Sequence, residues 1–272
     1  QDPSQLREHY QIEKRLASRL KSAPTEERRR LYGELYDELF RSVPHHPQLA
    51  RKQVGEDDVR LGLLRSLEDL VSRFLDARMT FMEVGAGDCR LSLKIAPKVK
   101  QVYALDVSEQ ISHNEKVPGN FRLILSDGCT VPVEPGSVDL AFSHQLLEHL
   151  HPEDALVQLR NLREGLKPGG SYVCITPSRF SGPHDVSKFF DDEASGFHLK
   201  EYSTGEMVTL FKQAGFTRFQ TFFWSKGFLL RMPAWPVLLC EAALSLLPRG
   251  LQRAIVDRYP LSRLLGNFIA IR

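Results

Sequence analysis

The spacing of apolar residues along the chain changes near residue 79. Before it, apolar side chains recur at helical spacing and form one face, as at Leu63, Leu67 and Leu70. After it, helical or turn segments separate short apolar runs at 79–84, 101–106, 121–125, 138–142 and 171–176. This alternation is typical of a parallel sheet with crossover helices. The sequence therefore predicts helices over residues 4–76 and an α/β region after them.

The C-terminal part of the pattern predicts further elements and an insertion. A helix is expected over 152–166, and another opens with Ser203 and Glu206 at capping-box spacing. Strands are expected at 216–224 and 267–271. The roughly forty residues between these two strands are rich in Leu and Pro and show no strand pattern. A long insertion of this kind is usually a lid, a substrate wall or a docking surface.

The charge of the chain argues against nucleic-acid binding. The 272 residues carry a formal net charge of +2, whereas nucleic-acid binding normally needs a concentrated basic face. Arg28, Arg29 and Arg30 form the tightest basic run, and Glu26 and Glu27 precede it. We therefore interpret this run as a solvated helix face and expect no nucleic-acid partner.

The cysteines and the most apolar segment bear on the cellular compartment. The four cysteines lie far apart without CxxC pairing, which argues against a zinc site or a disulfide framework and suits a reducing cytosol. The most apolar stretch, 234–247, is too short to span a bilayer and carries Glu241. The first four residues do not resemble a signal peptide. We expect a soluble, cytoplasmic protein without a transmembrane segment.

A glycine turn and an acidic residue dominate the candidate chemistry. Residues 81–87 (Phe-Met-Glu-Val-Gly-Ala-Gly) run from an apolar strand into a Gly-x-Gly turn, where backbone can approach a ligand closely. Asp106 ends the next apolar run, where an acid can bind both hydroxyls of a ribose. The pair predicts an adenosine-containing cofactor. Arg90 replaces the third glycine of the dinucleotide fingerprint and disfavours a nicotinamide cofactor.

Several motifs follow one another in a fixed order. They are Glu83-Val84-Gly85-Ala86-Gly87, Asp106, Ser126-Asp127, Val138-Asp139-Leu140, Leu147-Glu148-His149-Leu150, Leu166-Lys167-Pro168-Gly169-Gly170 and Thr176-Pro177. Together they resemble class I S-adenosylmethionine-dependent methyltransferases, closest to the small-molecule branch that includes ubiquinone-type O-methyltransferases. The resemblance covers residues 79–224 and the terminal strand.

The resemblance implies an architecture for the whole chain. We expect a Rossmann-like, doubly wound α/β sheet of seven strands with the last strand antiparallel. A helical cap at residues 1–76 should precede a methyltransferase domain at 77–272, and the segment 225–265 should form a lid or docking insertion before the final strand.

The resemblance also implies a set of cofactor contacts. They are Glu83, Gly85, Ala86, Gly87, Asp106, Val107, Asp127, Gly128, Ser143 and His144. Within this set, Asp106 should hold the ribose diol. Asp127 should face the adenine amino group, with Gly128 leaving it room, although a carboxylate after a strand is also a common turn former.

Histidines are the candidate catalytic residues. The sulfonium of the cofactor is already activated, so the site must align a nucleophile, and a hydroxyl nucleophile benefits from a base near neutral pKa. His144, directly after the fourth strand, and His149 are the candidates, with a packing role left open for His149. Gln145 and His198 should lie on the substrate side, with a structural role left open for His198. No metal is expected.

Two apolar regions are candidates for contact with the substrate or with partners. Tyr32 and Tyr36 belong to a helical stripe that either roofs the pocket or packs in the core. The apolar surface of the 225–265 insertion suits burial against the sheet, a homodimer contact, an apolar acceptor or peripheral membrane contact.

The resulting prediction is a methyltransferase that acts on a small molecule, such as a natural product, sugar or lipid-like acceptor, most often at a hydroxyl oxygen. The alternatives are a nicotinamide-dependent oxidoreductase and a non-catalytic cofactor-binding module.

Overall fold

The structure, a computed structural model, describes residues 2–44, 46, 58–107, 117–225 and 227–272. The helices in these ranges are α1 (Pro3–Ser22), α2 (Thr25–Ser42), α3 (Asp58–Ser72), α4 (Arg90–Ile95), α5 (Pro152–Gly165), α6 (Thr204–Gln213), α7 (Trp235–Leu244) and α8 (Arg249–Val256). The strands are β1 (Thr80–Val84), β2 (Gln101–Asp106), β3 (Phe121–Leu125), β4 (Val138–His144), β5 (Leu166–Ile175), β6 (Arg218–Ser225), β7 (Phe228–Pro233) and β8 (Asn267–Ile271).

The strands form one sheet in the order β3-β2-β1-β4-β5-β8-β6-β7. Strands β1 to β5 are parallel, and β8 lies antiparallel between β5 and β6. Because strand order reverses between β1 and β4, helices cover both faces, as in doubly wound folds. The predicted α/β class and the antiparallel last strand are confirmed.

The described sheet has eight strands rather than the predicted seven. The additional strand is β7, which pairs antiparallel with β6 through Ser225↔Phe228 to Gln220↔Pro233. The expectation of no strand between 225 and 265 was therefore wrong at this point. Residues 228–233 are apolar except for Arg231 and show no two-residue period, so the strand depends on its pairing with β6. Gly227, with φ +76°, provides the tight reversal between the two strands.

Local signals predicted most of the other elements closely. The helix expected at 152–166 is α5, and the strand expected at 267–271 is β8. The capping box of α6 is present, since Ser203 Oγ accepts from Glu206 N–H and Glu206 Oε2 accepts from Ser203 N–H. The Lys167-Pro168-Gly169-Gly170 segment forms part of β5, with a register shift against β4.

The N-terminal helices share their core with one face of the sheet. Leu16 of α1 and Leu35 of α2 belong to the same buried cluster as Tyr172 of β5. The opposite face packs against α3 and α4, with Leu70 and Phe81 in that cluster. The helices therefore lie against the sheet itself, and the domain division at residue 76 stays a prediction.

Arg28 is not on a solvated helix face, contrary to the expectation for the basic run. Its side chain is buried, and its Nε and Nη2 donate to the two oxygens of Asp154 at 2.6 and 2.8 Å. Tyr32 O–H donates to the same carboxylate at 2.7 Å. The ion pair fastens α2 to the first turn of α5. The local pattern failed because Asp154 lies 126 residues away along the chain.

The described helices and the cysteines can be compared with the expectations about membrane and compartment. Among the helices that it describes, none is long and apolar enough to cross a bilayer. All four cysteines are free thiols, in line with the expected absence of a disulfide framework.

Candidate cofactor and acceptor site

A cavity of about 730 Å³ lies at the carboxyl ends of the parallel strands. This is the place where open α/β sheets bind ligands. The ends of β1 and β2 contribute Gly85, Asp106 and Val107, and the segment after β4 contributes Gln145, Leu146 and His149. Helix α2 forms the opposite wall.

The glycine turn is tied to the end of β2. Gly85 and Gly87 have φ values of +73° and +53°, which favour glycine. Gly87 N–H donates to Asp106 Oδ2 at 2.8 Å, so the turn orients the carboxylate that ends β2. A Cβ at Gly85 would lie 2.9 Å from Cδ1 of Leu146. A side chain at this point would have to displace the end of Leu146, on a backbone conformation that favours glycine.

The side chain of Glu83 lies at the interface between β1 and α4. Its Oε2 accepts from Ser92 N–H at 3.0 Å and from Ser92 O–H at 2.6 Å, which joins β1 to α4. Burial raises the pKa of Glu83 to about 8, against the two Ser92 hydrogen bonds that lower it. Glu83, Ala86 and Gly87 are all described, and none of them lines the cavity. Their cofactor contacts stay predictions.

Asp127 forms the turn after β3, the alternative that the sequence left open. Its Oδ1 accepts from the N–H groups of Cys129 and Thr130 at 2.9 and 2.6 Å. Gly128 lines the cavity with φ +83°, but a Cβ there would lie 3.0 Å from the ring of Tyr32. The space that Gly128 leaves is thus taken by Tyr32, and the adenine contact stays a prediction.

The end of β4 sends consecutive side chains in different directions. Ser143 is buried, with its Oγ 2.6 Å from the hydroxyl of Tyr172. His144, the next residue, therefore faces the other side of the sheet. Burial lowers the pKa of His144 to about 4. The structure describes both residues, and neither lines the cavity, whereas Gln145 does.

His149 lies on the cavity wall with one ring nitrogen already engaged. Its Nδ1 is 3.0 Å from the carbonyl oxygen of Phe197. Because a carbonyl can only accept, the neutral ring carries its proton on Nδ1 and its lone pair on Nε2. Burial, followed by the charge of His198, lowers the pKa of His149 to about 4. The imidazole is therefore neutral at neutral pH, with a free lone pair for a proton, but it is a weaker base than a solvent-exposed histidine.

Glu148 and His198 lie beside His149. Glu148 is fully buried, its Oε2 accepts from Thr176 O–H at 2.9 Å, and burial raises its pKa to about 7. His198 Nδ1 is 2.7 Å from Glu201 Oε1. Burial opposes protonation of His198, but Glu201 and Glu148 together raise its pKa. The ligand atoms of Glu148, His149 and His198 lie within 4.8 Å of one another, so the three side chains form a second cluster beside the cavity.

Helix α2 contributes cavity residues that sequence reasoning missed. Tyr32 and Tyr36 line the cavity and also pack in the core, so the structure shows both of the roles that the sequence left open, and contact with the substrate stays a prediction. The ring of Tyr36 lies 5.1 Å from the ring of Phe197. Asp37 and Arg41 line the cavity as well. Asp37 and Arg41 are four residues apart on α2, as Tyr32 and Tyr36 are, and each lies one position after the aromatic stripe. This spacing could have indicated them as cavity residues.

A protein-family model described as a methyltransferase domain matches residues 82–174. The match includes the glycine turn, Asp106 and His149. Over these residues the findings support a class I S-adenosylmethionine-dependent methyltransferase domain. The family match favours a methyltransferase over the nicotinamide-dependent oxidoreductase that the sequence left as an alternative.

Curated relatives of the methyltransferase domain differ in substrate. The chain is 27% identical over 150 residues to phosphoethanolamine N-methyltransferase 1 of Triticum aestivum, covering 45% of this chain and 30% of that protein. It is 32% identical over 128 residues to malonyl-[acyl-carrier protein] O-methyltransferase of Xylella fastidiosa, covering 44% and 41%. It thus spans less than half the length of these two relatives. An uncharacterized methyltransferase of Geobacillus kaustophilus is 26% identical over 197 residues, covering 68% of this chain and 86% of that protein.

Solved structures share the fold of the methyltransferase domain. The putative methyltransferase in complex with the Haloferax volcanii Trm112 activator aligns with a TM-score of 0.53 at 16% identity, covering 76% of this chain and 90% of that one. The YcgJ protein of Bacillus subtilis aligns with a TM-score of 0.50 at 16% identity, covering 76% and 98%. At this identity the likeness shows the fold alone.

Proposed function

We propose that this chain transfers a methyl group from S-adenosylmethionine to a hydroxyl oxygen of a small-molecule acceptor. The observation that carries the proposal is the position of His149, which lies on the wall of the same cavity as Gly85 and Asp106. Pockets for small molecules have volumes of about 300–1,000 Å³, so a cavity of about 730 Å³ has room for cofactor and acceptor together.

The strand ends support the cofactor half of the proposal. Asp106, oriented by the Gly87 N–H, would bind the ribose hydroxyls, and Val107 would lie against the adenine. Gly85 would let the methionine part lie against backbone. When bound, S-adenosylmethionine supplies a methyl group that is already activated by the sulfonium. The protein therefore has to align the acceptor and exclude water.

His149 supports the acceptor half. Its Nε2 holds a lone pair at neutral pH, because the Phe197 carbonyl fixes the Nδ1–H tautomer and burial keeps the ring neutral. Nε2 would take the proton of the acceptor hydroxyl as the oxygen attacks the methyl carbon. The Tyr36 ring, 6.1 Å from the His149 ring, would cover this step from water. His144 is the weaker candidate base because it does not line the cavity.

Methyl transfer to a panel of acceptors tests the proposal. Purified protein with S-adenosylmethionine is assayed against phenols, sugars, hydroxy lipids and amines. His149→Gln should lower kcat by about 10²–10⁴-fold while leaving the affinity for S-adenosylhomocysteine unchanged. His184→Gln, at a histidine that does not line the cavity, is the control. Turnover of amines alone, or full activity of His149→Gln, would contradict the proposal.

Residues 228–265 expose an apolar surface, which would suit contact with the membrane from which an apolar acceptor would come. Trp235, Leu239 and Leu246 form one stripe of α7 and its C-terminal extension and are 62%, 64% and 86% exposed. The one charged residue of α7, Glu241, is buried and accepts from the N–H groups of Thr204 and Gly205. The exposed face of α7 therefore carries no charge.

The net charge of the segment that contains this stripe favours an anionic membrane surface as its partner. Residues 228–265 contain five arginines against Glu241 and Asp257, a net charge of +3, whereas the whole chain carries +2. Exposed apolar side chains flanked by arginines are typical of segments that lie in a bilayer interface. We include peripheral contact with anionic lipid in the proposed function, together with a cytoplasmic location.

Sedimentation with lipid vesicles tests the surface. Wild-type protein should bind vesicles that contain phosphatidylglycerol more strongly than phosphatidylcholine vesicles, and the double variant Trp235→Ser/Leu239→Ser should lose this binding. A double variant at the exposed residues Val59 and Val117, changed to Ser, is the control. Concentration-dependent dimers that the stripe variant abolishes, without vesicle binding, would show a homodimer contact instead.

A further inference from the structure

Three buried side chains of the N-terminal region converge outside the cavity. His9 and Glu13 lie one turn apart on α1, and His46 follows α2. They are 3%, 5% and 8% exposed. His9 Nε2 lies 2.7 Å and His46 Nε2 lies 3.7 Å from the same oxygen, Glu13 Oε1. We propose that this cluster is a binding site for a divalent cation of the zinc class.

The donor set and its spacing suit such an ion. Two imidazole nitrogens and one carboxylate oxygen form a common ligand set for Zn²⁺, with metal–ligand distances of about 2.0–2.2 Å. Donors around one tetrahedral ion are then about 3.3 Å apart, between the two distances to Glu13 Oε1. The three ligand atoms all lie within 4.8 Å of one another. Small rotations of the side chains would bring them around one ion.

The backbone supports this arrangement of donors. Residues four apart on a helix project from the same face, so α1 presents His9 and Glu13 together. The second oxygen, Glu13 Oε2, accepts from Phe197 N–H at 3.2 Å, which fixes the carboxylate as an outer partner fixes a metal ligand. A Cβ at Gly196 would lie 2.5 Å from this oxygen, so a side chain there would displace the carboxylate.

A buried carboxylate also needs a compensating positive charge. Buried charged groups in proteins are paired or coordinate metals, because burial of an isolated ion is strongly unfavourable. The described ion pairs of Glu13 are with His9 and His46, whose rings are T-shaped to one another at 4.8 Å. A cation between these three groups would satisfy the carboxylate while both imidazoles stay neutral.

The position of the cluster gives the ion a structural role. It would join α1 to the segment after α2, and through Glu13 to the backbone of Phe197. The carbonyl of Phe197 fixes the tautomer of His149. The ion would therefore hold the N-terminal helices against the loop that forms the acceptor side of the cavity. This role is independent of the methyl acceptor and of methyl transfer itself.

Metal titration of the full chain tests the proposal. Protein stripped with a chelator is titrated with Zn²⁺ in competition with a chromophoric chelator, and with Co²⁺ while visible absorbance is recorded. One ion per chain and a tetrahedral Co²⁺ spectrum are expected. Because an outer-shell partner alone changes metal affinity by about 10- to 100-fold, His9→Ala and His46→Ala should each weaken binding by at least about 100-fold. Zn²⁺ at a hundredfold excess over Kd should raise Tm by about 5 °C or more.

The second cluster of Glu148, His149 and His198 supplies the decisive comparison. His198→Ala should leave Zn²⁺ affinity unchanged, as should His184→Ala at an exposed histidine. Binding that is lost in His198→Ala and kept in His9→Ala would overturn the proposal. If the His9 and His46 variants fail to fold, the wild-type Co²⁺ titration still decides, because the absence of a stoichiometric tetrahedral spectrum would also overturn it.

Discussion

The N–H of Gly87 donates to Asp106 Oδ2 at 2.8 Å and so ties the glycine turn to the acid that ends β2. The two residues are 19 positions apart, yet the parallel pairing of β1 with β2 brings both to the same edge of the sheet. The bond orients the carboxylate before any ligand arrives. Preorganisation of this kind lowers the free-energy cost of binding a ribose.

Replacement of Asp106 by Ala should weaken the binding of S-adenosylhomocysteine. Loss of hydrogen bonds to a charged group costs about 1.5–3 kcal/mol, or about 10- to 100-fold in affinity. Isothermal titration calorimetry measures this change. Asp257→Ala, at an exposed carboxylate, should bind as the wild type does. Equal affinities in the two variants would remove Asp106 from the cofactor site.

The pH dependence of activity should show no loss of the base between pH 8 and pH 6. His149 has a pKa of about 4 because burial and the nearby His198 disfavour its charged form. The ring therefore stays deprotonated throughout this range. A profile of kcat against pH measures it, with His149→Gln as the comparison. A decline of kcat below pH 7 that disappears in His149→Gln would show that the ring titrates higher.

Glu83 should make the protein less stable as pH rises. Burial raises its pKa from 4.5 to about 8, so the folded state holds a proton that the unfolded state releases between these values. Stability from this group is complete below about pH 4.5 and is lost as pH rises through 8. Glu83→Gln should therefore gain stability relative to the wild type by a few kcal/mol from pH 5 to pH 8, at about 1.4 kcal/mol per pKa unit.

Urea unfolding at the two pH values measures the effect of Glu83→Gln. Glu68→Gln is the control, because Glu68 lies mainly at the surface and Lys98 lowers its pKa instead. If the difference between Glu83→Gln and the wild type were the same at pH 5 and pH 8, the carboxyl would not be protonated in the fold.

Loss of the buried arginine should destabilise the fold strongly. Arg28→Met leaves Asp154 buried with Tyr32 as a remaining donor, and removal of one partner from a buried ion pair costs about 3–5 kcal/mol. Arg30→Met, two positions away on the exposed side of α2, should change stability by less than about 0.5 kcal/mol. Chemical denaturation compares the two variants directly. A similar stability for both would mean that the Asp154 pair contributes little.

The periodicity of the sequence predicted the parts of the fold that local patterns specify. Short apolar runs placed β1 to β4, and helical spacing and capping signals placed α5 and α6. The glycine turn followed by Asp106 indicated an adenosine-containing cofactor, and the ordered motifs indicated S-adenosylmethionine. These features depend on neighbouring residues, so a single stretch of sequence contains their physical cause. Strand β7 lacked such a pattern because its backbone partners come from β6.

Contacts between distant residues were decided only by the tertiary structure. The residues next to Arg28 in the sequence predict a surface cation, but the packing of α2 on α5 buries it against Asp154. The sequence favoured His144, directly after the fourth strand, but the turn after β4 sets His149 and not His144 on the cavity wall. Sequence by itself determined which elements form and which cofactor class suits them. The directions of side chains at the site depend on how those elements pack, because burial and pairing are properties of the folded chain.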